Sequence, residues 1–323
     1  MKTLLAGPYV GEIGWELMSW QAHVRRIFRD GGFDRLVVLG AAGRQAFYED
    51  MAADYRVVDL SGLPGEPCED RRVDACRRPL PVRQIQACIE PMVQAAIETL
   101  RSEGQAVTTL LPPMDGRLLP CDPAHQRFIE FRRVPRDPME APWVVLVMRQ
   151  RAFNADQNWP AACWEELYDL LTDRGVNVSS YPNEAAAAIE MLSGCDLAVG
   201  HSTGGLHLAA LCGCPRLVWS WDDSVRGFPW GMTQRQRYQT LWNPLGSPVI
   251  FQGLREPPAP AVVAAWIEQA LERIGRRTGR AWHRRAFRAV WRTRNCLYEH
   301  VVRRPSFRRW PWRLQEFVRY GLI

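Results

Sequence analysis

The amino-acid sequence predicts an α/β protein with two domains, each a parallel β-sheet covered by helices. Strand-like and helix-like stretches alternate along the first 110 residues, and the same alternation starts again at residue 143. A segment rich in proline and charge, residues 112–142, separates the two series. We therefore predict Rossmann-like domains over residues 1–140 and 141–275. They are expected to face each other across a cleft that holds the ligand.

The first domain is expected to contain four strands, because four short apolar runs lie between longer polar stretches. These runs cover residues 3–6, 36–39, 56–60 and 107–111. Helices are expected over residues 16–30, 41–53 and 82–103.

The second domain repeats this pattern. Strands are expected over residues 143–148, 176–179, 197–199 and 217–219. Helices are expected over residues 161–174 and 184–193, from residue 203 onward, and over residues 259–275, after a run of prolines.

Charge is distributed unevenly along the 323 residues. Residues 276–323 hold 14 arginines against two acids, a balance of +12, so the first 275 residues carry −6 of the overall +6. This final segment is expected to be a basic, aromatic-rich helical tail.

No apolar run is long enough to span a bilayer, and Met1–Gly7 is interpreted as the first strand rather than a signal peptide. The protein is therefore expected in the cytoplasm. The nine cysteines are odd in number and lack a Cys-x-x-Cys pair, which favours reduced thiols.

The most informative motif is a strand, a tight turn and a helix between Asp196 and Trp219. The turn reads His201-Ser202-Thr203-Gly204-Gly205, and the helix continues through His207. Free N–H groups and the positive end of the helix dipole would point at whatever lies in front of this turn. The motif therefore predicts a phosphate or diphosphate site.

Two arginines, Arg149 and Arg151, follow the first strand of the second domain. At that end of the sheet they could bind phosphate oxygens in a bidentate manner. Farther along, Trp159 could stack on a base or pack the next helix, and packing is expected for Trp164.

A glycine-rich turn follows the first strand of the chain and contains Gly11, Glu12, Gly14 and Trp15. A carboxylate there lies at the carboxyl end of a strand, so Glu12 is a candidate general base. The alternative is that Glu12 or Glu16 only complements the dipole of the first helix.

No metal site is predicted. His201 and His207 have no acidic partner at metal-ligand spacing, and an isolated histidine in an apolar helix is more often an interior residue. Asp222 and Asp223 could hold a divalent ion, but a turn or helix cap is the preferred interpretation.

Taken in order, these motifs resemble those of the GT-B glycosyltransferases, and especially the heptosyltransferase-like family nine. Gly11-Glu12 stands where the family has Gly-Asp, and Trp159-Pro160 with Trp164 matches its Trp-Pro-x-x-x-Trp stretch. Tyr181-Pro-Asn-Glu184 loosely matches a Gly-x-x-x-Glu-like segment. The segment from Ser202 to Leu211 resembles the family's Asp-Ser/Thr-Gly-x-x-His-Leu-x-Ala-Ala-Leu motif and is the strongest match, although His201 or Ser202 replaces its Asp.

The resemblance implies a metal-independent, inverting transfer of a sugar from a nucleotide-sugar, a co-substrate rather than a cofactor. Glu12 would be the base, and Gly11, Gly14 and Trp15 would form the acceptor-side loop. The donor-binding residues would be Arg149, Arg151, Glu184, His201, Ser202, Thr203, Gly204, Gly205 and His207. The acceptor would be a glycan or glycolipid of the bacterial surface, as in lipopolysaccharide synthesis.

The tail suggests how such an enzyme could reach a lipid-linked acceptor. Arginines interleave with aromatic residues over 276–323, which is typical of segments that lie on anionic membrane surfaces. We therefore expect peripheral attachment at the inner face of the cytoplasmic membrane. The alternatives are that the tail packs on the first domain or binds nucleic acid, and nucleic acid is disfavoured because the rest of the chain is acidic.

Two other functions fit the same motifs. The protein could be a nucleotide-sugar-binding protein without catalytic activity, or a sugar-nucleotide epimerase on the same fold. The only lysine is Lys2, so the lysine that often precedes the family's Trp-Pro pair is missing.

Overall fold

The computed structural model describes residues 1–64, 70–74, 78–114, 119, 126–131, 141–151, 155–220, 233–254 and 256–276. The chain divides into two units. One contains the described residues up to 129 together with 182–187, and the other contains the remaining described residues. Asp222, Asp223 and nearly all of the predicted tail lie outside the described residues.

The first unit is built on a four-stranded sheet in the order β3-β2-β1-β4. Every neighbouring pair is parallel. The strands are β1 (Lys2–Ala6), β2 (Arg35–Gly40), β3 (Asp54–Val57) and β4 (Ala106–Leu110).

The helices of this unit are α1 (Ile13–Trp15), a π-helical turn (Glu16–Trp20), α2 (Gln21–Asp30) and α3 (Val82–Ser102). Helix α3 packs on the sheet because its apolar residues recur at helical spacing. Val93, Ala96 and Leu100 join Leu5, Val37 and Leu39 in one core cluster.

The second unit has five parallel strands in the order β6-β5-β7-β8-β9. They are β5 (Trp143–Val147), β6 (Asn177–Ser180), β7 (Leu197–His201), β8 (Arg216–Ser220) and β9 (Val249–Gly253). Its helices are α4 (Ala161–Thr172), α6 (Gly204–Leu211), α7 (Gln234–Gln239), α8 (Pro260–Arg276) and most of α5 (Ala185–Gly194). The first three residues of α5 are grouped with the first unit. None of the described helices is long and apolar enough to cross a bilayer.

The α/β class and the parallel sheets are confirmed, and two element predictions are wrong. Residues 41–53 form only two short 3₁₀ turns, Gln45–Phe47 and Glu49–Met51, instead of a helix. Gly43 and Ala52 have positive φ angles of 78° and 49°, which a continuous right-handed helix excludes. The third strand is Asp54–Val57, earlier than the predicted 56–60.

Candidate functional site

The strand order of the second unit places its candidate site between β5 and β7. Numbered within the unit, the order is 2-1-3-4-5, which has its topological switch point between the first and third strands. Ligands of open α/β sheets bind outside the carboxyl ends of the strands at such a point. The segments that leave the sheet there are the arginine segment after β5 and the Ser202–Gly205 turn after β7.

These two segments leave the sheet side by side. Val147 and Gly200 are register partners in β5 and β7. A Cβ atom on Gly205 would lie 2.6 Å from Cγ1 of Val147 and 3.2 Å from the Tyr181 ring. Glycine at 205 therefore lets the first turn of α6 rest directly on the end of β5, so this glycine serves the packing of helix on strand.

The N-terminus of α6 offers backbone donors to a ligand. Thr203 is the N-cap with extended backbone angles (φ −157°, ψ 165°), and its side chain makes no capping hydrogen bond. The first intrahelical bonds are donated by Leu206 and His207. In the described part of the chain, the N–H groups of Gly204 and Gly205 have no acceptor. Ser202, Thr203 and Gly205 are half-buried and Gly204 is buried, so the turn is partly exposed to solvent. A helix N-terminus with free N–H groups at such a place is a typical anion site.

The arginine segment is fixed by a residue that the sequence did not single out. Nη1 of Arg149 donates to Oδ1 of Asn158, and Arg149 is only 3 % exposed. The Asn158 amide also donates to the carbonyl of Arg151 at 2.8 Å and accepts from its N–H at 3.2 Å. Asn158 thus holds both arginines at the end of β5, while Arg151 is only half-buried.

His201 is held neutral. Its ring is buried, and Nδ1 lies 3.4 Å from the carbonyl oxygen of Ser202. Burial, aided by the charge of Arg149, lowers the pKa of His201 to about 4, against the opposing effect of the Ser202 carbonyl. At neutral pH this side chain therefore contributes no charge to the site.

His207 lies behind the turn rather than in front of it. Its ring packs between Tyr238 and Trp242, with centroid distances of 5.6 Å and 4.7 Å. Burial, together with the charges of Arg216 and Arg151, lowers the pKa of His207 to about 3. The ring is 8 % exposed and forms part of the wall that supports α6.

A buried arginine supports the same helix. Arg216, the first residue of β8, is fully buried, and its Nη1 donates to the carbonyls of Leu206 (3.3 Å) and Trp242 (3.1 Å). Among the described residues no carboxylate pairs with it. Burial lowers the pKa of Arg216 to about 10, so the guanidinium remains charged at neutral pH. It adds a positive charge behind α6, and nothing in the local sequence signals that role.

The tryptophans of the Trp-Pro stretch belong to the core. Trp159 and Trp164 are 6 % and 4 % exposed and form a three-ring cluster with Trp219. Nε1 of Trp159 donates to the carbonyl of Pro258 at 3.0 Å. Packing is therefore the role that the structure gives to both residues.

In the first unit the switch point lies between β1 and β4, where the order 3-2-1-4 reverses. The N–H of Gly7, just after β1, donates to the carbonyl of Leu110 in β4 at 3.0 Å. Gly7 has φ +94°, and a Cβ there would collide with the carbonyl oxygen of Leu39. Only glycine fits this turn, which leads into the segment that carries Glu12.

Glu12 is the N-cap residue of α1, with extended backbone angles. Its carbonyl accepts from the N–H groups of Trp15 (2.9 Å) and Glu16 (3.1 Å), but its side chain makes no capping hydrogen bond. The residue is half-buried. Its carboxylate therefore does not cap the helix, and it lies at the end of the sheet where a reactive group is expected.

Glu16 has a structural role instead. It is 2 % exposed, forms an ion pair with Arg44, and accepts a hydrogen bond of 2.9 Å from the Tyr48 hydroxyl. Burial alone would lower the pKa of Arg44, but the adjacent Glu16 carboxylate reverses the effect, and the pKa is raised. The Glu16 carboxylate is therefore engaged by neighbouring side chains of the fold.

The predicted acceptor-side residues lie around Glu12. Gly11 and Gly14 are buried, and Trp15 is half-buried. The space next to Gly11 is filled by the Tyr9 ring, which stacks on Trp20 at 6.0 Å. Gly11 thus accommodates a neighbouring side chain.

Glu184 caps a helix. Its two carboxylate oxygens accept from the N–H groups of Ala186 (2.9 Å) and Ala187 (2.7 Å) at the start of α5. The residue belongs to the short stretch grouped with the first unit. Its predicted contact with a donor stays a prediction.

In the described ranges no three His, Cys, Asp or Glu side chains are grouped as metal ligands. Transfer without a metal stays a prediction.

Comparisons with known proteins give matches only among solved structures. No known family matches the sequence, and no curated protein matches it. The chain is similar to ADP-heptose lps heptosyltransferase II of E. coli, with 13% identity and a TM-score of 0.44 over 84% of this chain and 99% of that one. It is also similar to a glycosyl transferase family 9 protein of Veillonella parvula, with 9% identity and a TM-score of 0.49 over 84% of this chain and 98% of that one. A third similar structure is E. coli heptosyltransferase WaaC with ADP, at 14% identity and a TM-score of 0.41, covering 84% of this chain and 100% of that one. The solved structures that the chain is similar to include heptosyltransferases.

Proposed function

We propose that the protein is a glycosyltransferase that moves a sugar from a nucleotide-sugar to a hydroxyl of a bacterial surface glycan. The observation that carries the proposal is the site between β5 and β7. At this switch point the segment Arg149–Arg151, which follows β5, lies next to the turn that follows β7. That turn carries the two N–H groups of α6 that have no acceptor among the described residues. Amide donors and guanidinium groups together suit a diphosphate.

In this proposal the second unit binds the donor. Negative charge grows on the departing diphosphate in the transition state, and the N–H groups of Gly204 and Gly205 with Arg149 and Arg151 would stabilise it. Such fixed donors need no metal ion. His201 is neutral at physiological pH, so the positive charge of this site comes from the arginines and the helix N-terminus.

The first unit supplies the base. Glu12 would take the proton from the acceptor hydroxyl as that oxygen attacks the anomeric carbon, and the configuration at that carbon would invert. The sugar acquires oxocarbenium character in such a reaction. Glu12 suits the role better than Glu16, because Glu16 is held by Arg44 and Tyr48.

The test is a screen of nucleotide-sugars by thermal shift, followed by product analysis with the best binder. We expect one nucleotide class to raise the melting temperature, and sugar transfer to occur only when an acceptor is added. Conversion of the donor without an acceptor would instead support the epimerase alternative. Binding with no product under any acceptor would support a binding protein.

We also propose that residues 276–323 attach the enzyme to an anionic membrane, where a lipid-linked acceptor would lie. The support is the charge of +12 on that segment and its interleaved aromatic residues. Co-sedimentation with liposomes, of the full chain and of a chain ending at 275, tests this. Equal binding by both forms would contradict the proposal.

A further inference from the structure

Tyr238 connects the buried wall behind α6 to the turn that faces the ligand. It lies in α7 and is fully buried. Its hydroxyl donates a hydrogen bond of 2.8 Å to Oγ of Ser202. Ser202 is half-buried and directly precedes Thr203, the N-cap of α6.

The Tyr238 ring is held on several sides, so its hydroxyl has a fixed position. Trp242 packs edge-on at a centroid distance of 5.1 Å, Phe251 lies at 5.6 Å and His207 at 5.6 Å. The guanidinium carbon of Arg216 lies 5.7 Å from the ring centroid. Helix α7 is itself fixed by a capping box at Thr233.

This hydrogen bond determines whether the Ser202 hydroxyl acts as a donor or an acceptor towards a ligand. A serine hydroxyl has one proton to donate and two lone pairs to accept with. One lone pair takes the Tyr238 proton, and in the described residues the Ser202 hydroxyl has no acceptor for its own proton. The backbone N–H of Ser202 is already used by the carbonyl of Trp219 at 3.0 Å.

We propose that Tyr238 is a positioning residue that makes the Ser202 hydroxyl a hydrogen-bond donor to the bound diphosphate. The inference rests on the proposed function, because it requires an anion at the N-terminus of α6. A hydroxyl that accepts a hydrogen bond becomes a better donor through cooperative polarisation. Tyr238 therefore acts on the ligand through Ser202 and does not touch it.

The test uses the full chain and inorganic pyrophosphate as the probe, with binding measured by calorimetry. Ser202→Ala removes the donor to a charged group and should weaken binding about 10-fold. Tyr238→Phe removes only the polarising hydroxyl and should weaken it about 3- to 10-fold. Ser202→Thr keeps the hydroxyl and should bind nearly as the parent does. Tyr168→Phe, an exposed tyrosine on α4, is the matched control.

The double variant separates positioning from a packing role. If Tyr238 acts through Ser202, Ser202→Ala with Tyr238→Phe should bind no worse than Ser202→Ala alone. Losses that multiply in the double variant would overturn the inference, as would parent-like binding by either single variant. If Tyr238→Phe fails to fold, 3-fluorotyrosine at 238 provides a second test. It makes the hydroxyl a stronger donor, so it should tighten binding, and weaker binding would contradict the inference.

The two proposals fail differently. If the parent protein binds neither pyrophosphate nor any nucleotide-sugar, both the proposed function and the role of Tyr238 are wrong. If the parent binds but Tyr238→Phe binds equally well, the role of Tyr238 is wrong and the proposed function stands.

Discussion

Glu12 and Glu16 lie four positions apart in the same glycine-rich segment, and their surroundings separate their roles. Glu16 is buried against Arg44 and Tyr48, whereas Glu12 is half-buried at the N-cap of α1. The glycine-rich turn in the sequence predicted that this segment forms part of a site and that Glu12 is a candidate base. It could not assign Glu16, because Arg44 lies 28 positions away and is brought there only by the fold.

At the level of single residues, Glu12→Gln tests the mechanism. The amide cannot accept the proton of the acceptor hydroxyl, so we expect turnover to fall about 10²- to 10⁴-fold. Donor affinity should stay unchanged, because the second unit binds the donor in our proposal. Turnover and donor binding are measured with the donor found in the screen, and Glu90→Gln on the exposed face of α3 is the control. Full turnover in Glu12→Gln would remove Glu12 from the mechanism.

Glu16→Gln should affect stability more than chemistry. The substitution leaves the buried Arg44 guanidinium without its counter-charge, and losses of about 3–5 kcal/mol are typical of broken buried pairs. Urea denaturation measures the free energy of unfolding. Glu103→Gln is a matched control, because Glu103 pairs with Arg35 at the surface, where a loss below about 1 kcal/mol is expected. Equal losses in the two variants would contradict the structural role of Glu16.

At the level of elements, runs and periodic patterns of apolar residues predicted most of the strands and helices. Elements that lack such a pattern were not predicted. Strand β5 and the three longest described helices, α3, α4 and α8, were predicted within a few residues, since their apolar periodicity is strong. Helix α7 was not predicted, because Gln234–Gln239 has only one apolar residue. Strand β9 is a short run after Pro248 and was also missed.

The residues of the candidate site also divide into those that a local sequence pattern marks and those that only the fold brings together. Arg149 and the 201–205 turn were predicted because each follows a recognisable strand. Asn158, Arg216 and Tyr238 were not, because their contacts with the site depend on the fold and no local pattern marks them. The hydrogen bond between Tyr238 and Ser202, for example, joins residues 36 positions apart.

Gly205→Ala tests the contact between α6 and β5. The added Cβ would lie 2.6 Å from Cγ1 of Val147, so the helix must shift away from the strand. We expect a loss of about 1–3 kcal/mol in the free energy of unfolding and weaker pyrophosphate binding. Gly62→Ala is the control, because its Cβ would meet Sγ of Cys88 at 3.6 Å, an ordinary contact. A Gly205→Ala protein with parent-like stability and binding would contradict this account of the turn.

At the level of the whole molecule, two buried histidines make stability depend on pH. In the unfolded chain both titrate near the ordinary value of 6.5, whereas burial lowers the pKa of His201 to about 4 and that of His207 to about 3. At a pH between the folded and the unfolded pKa of each histidine, the unfolded chain binds more protons than the folded protein does. The free energy of unfolding therefore falls as the pH drops below 6.5. This contribution is fully present above pH 6.5.

Urea denaturation at several pH values between 7 and 5 measures the effect. Each histidine should contribute up to about 1.4 kcal/mol per pH unit below 6.5. His207→Gln should therefore make the decrease over that interval shallower, while the plateau above pH 7 stays flat. An unchanged pH dependence in His207→Gln would show that His207 is not held neutral by the fold.

The central claim is that the N-terminus of α6 binds a diphosphate through its backbone. The most direct measurement is an NMR titration of ¹⁵N-glycine-labelled protein with inorganic pyrophosphate. The Gly204 and Gly205 signals are assigned beforehand by substitution of each glycine. The account predicts that these two amide signals shift and saturate together as pyrophosphate binds. Saturable binding that leaves both signals in place, while other glycines shift, would contradict it.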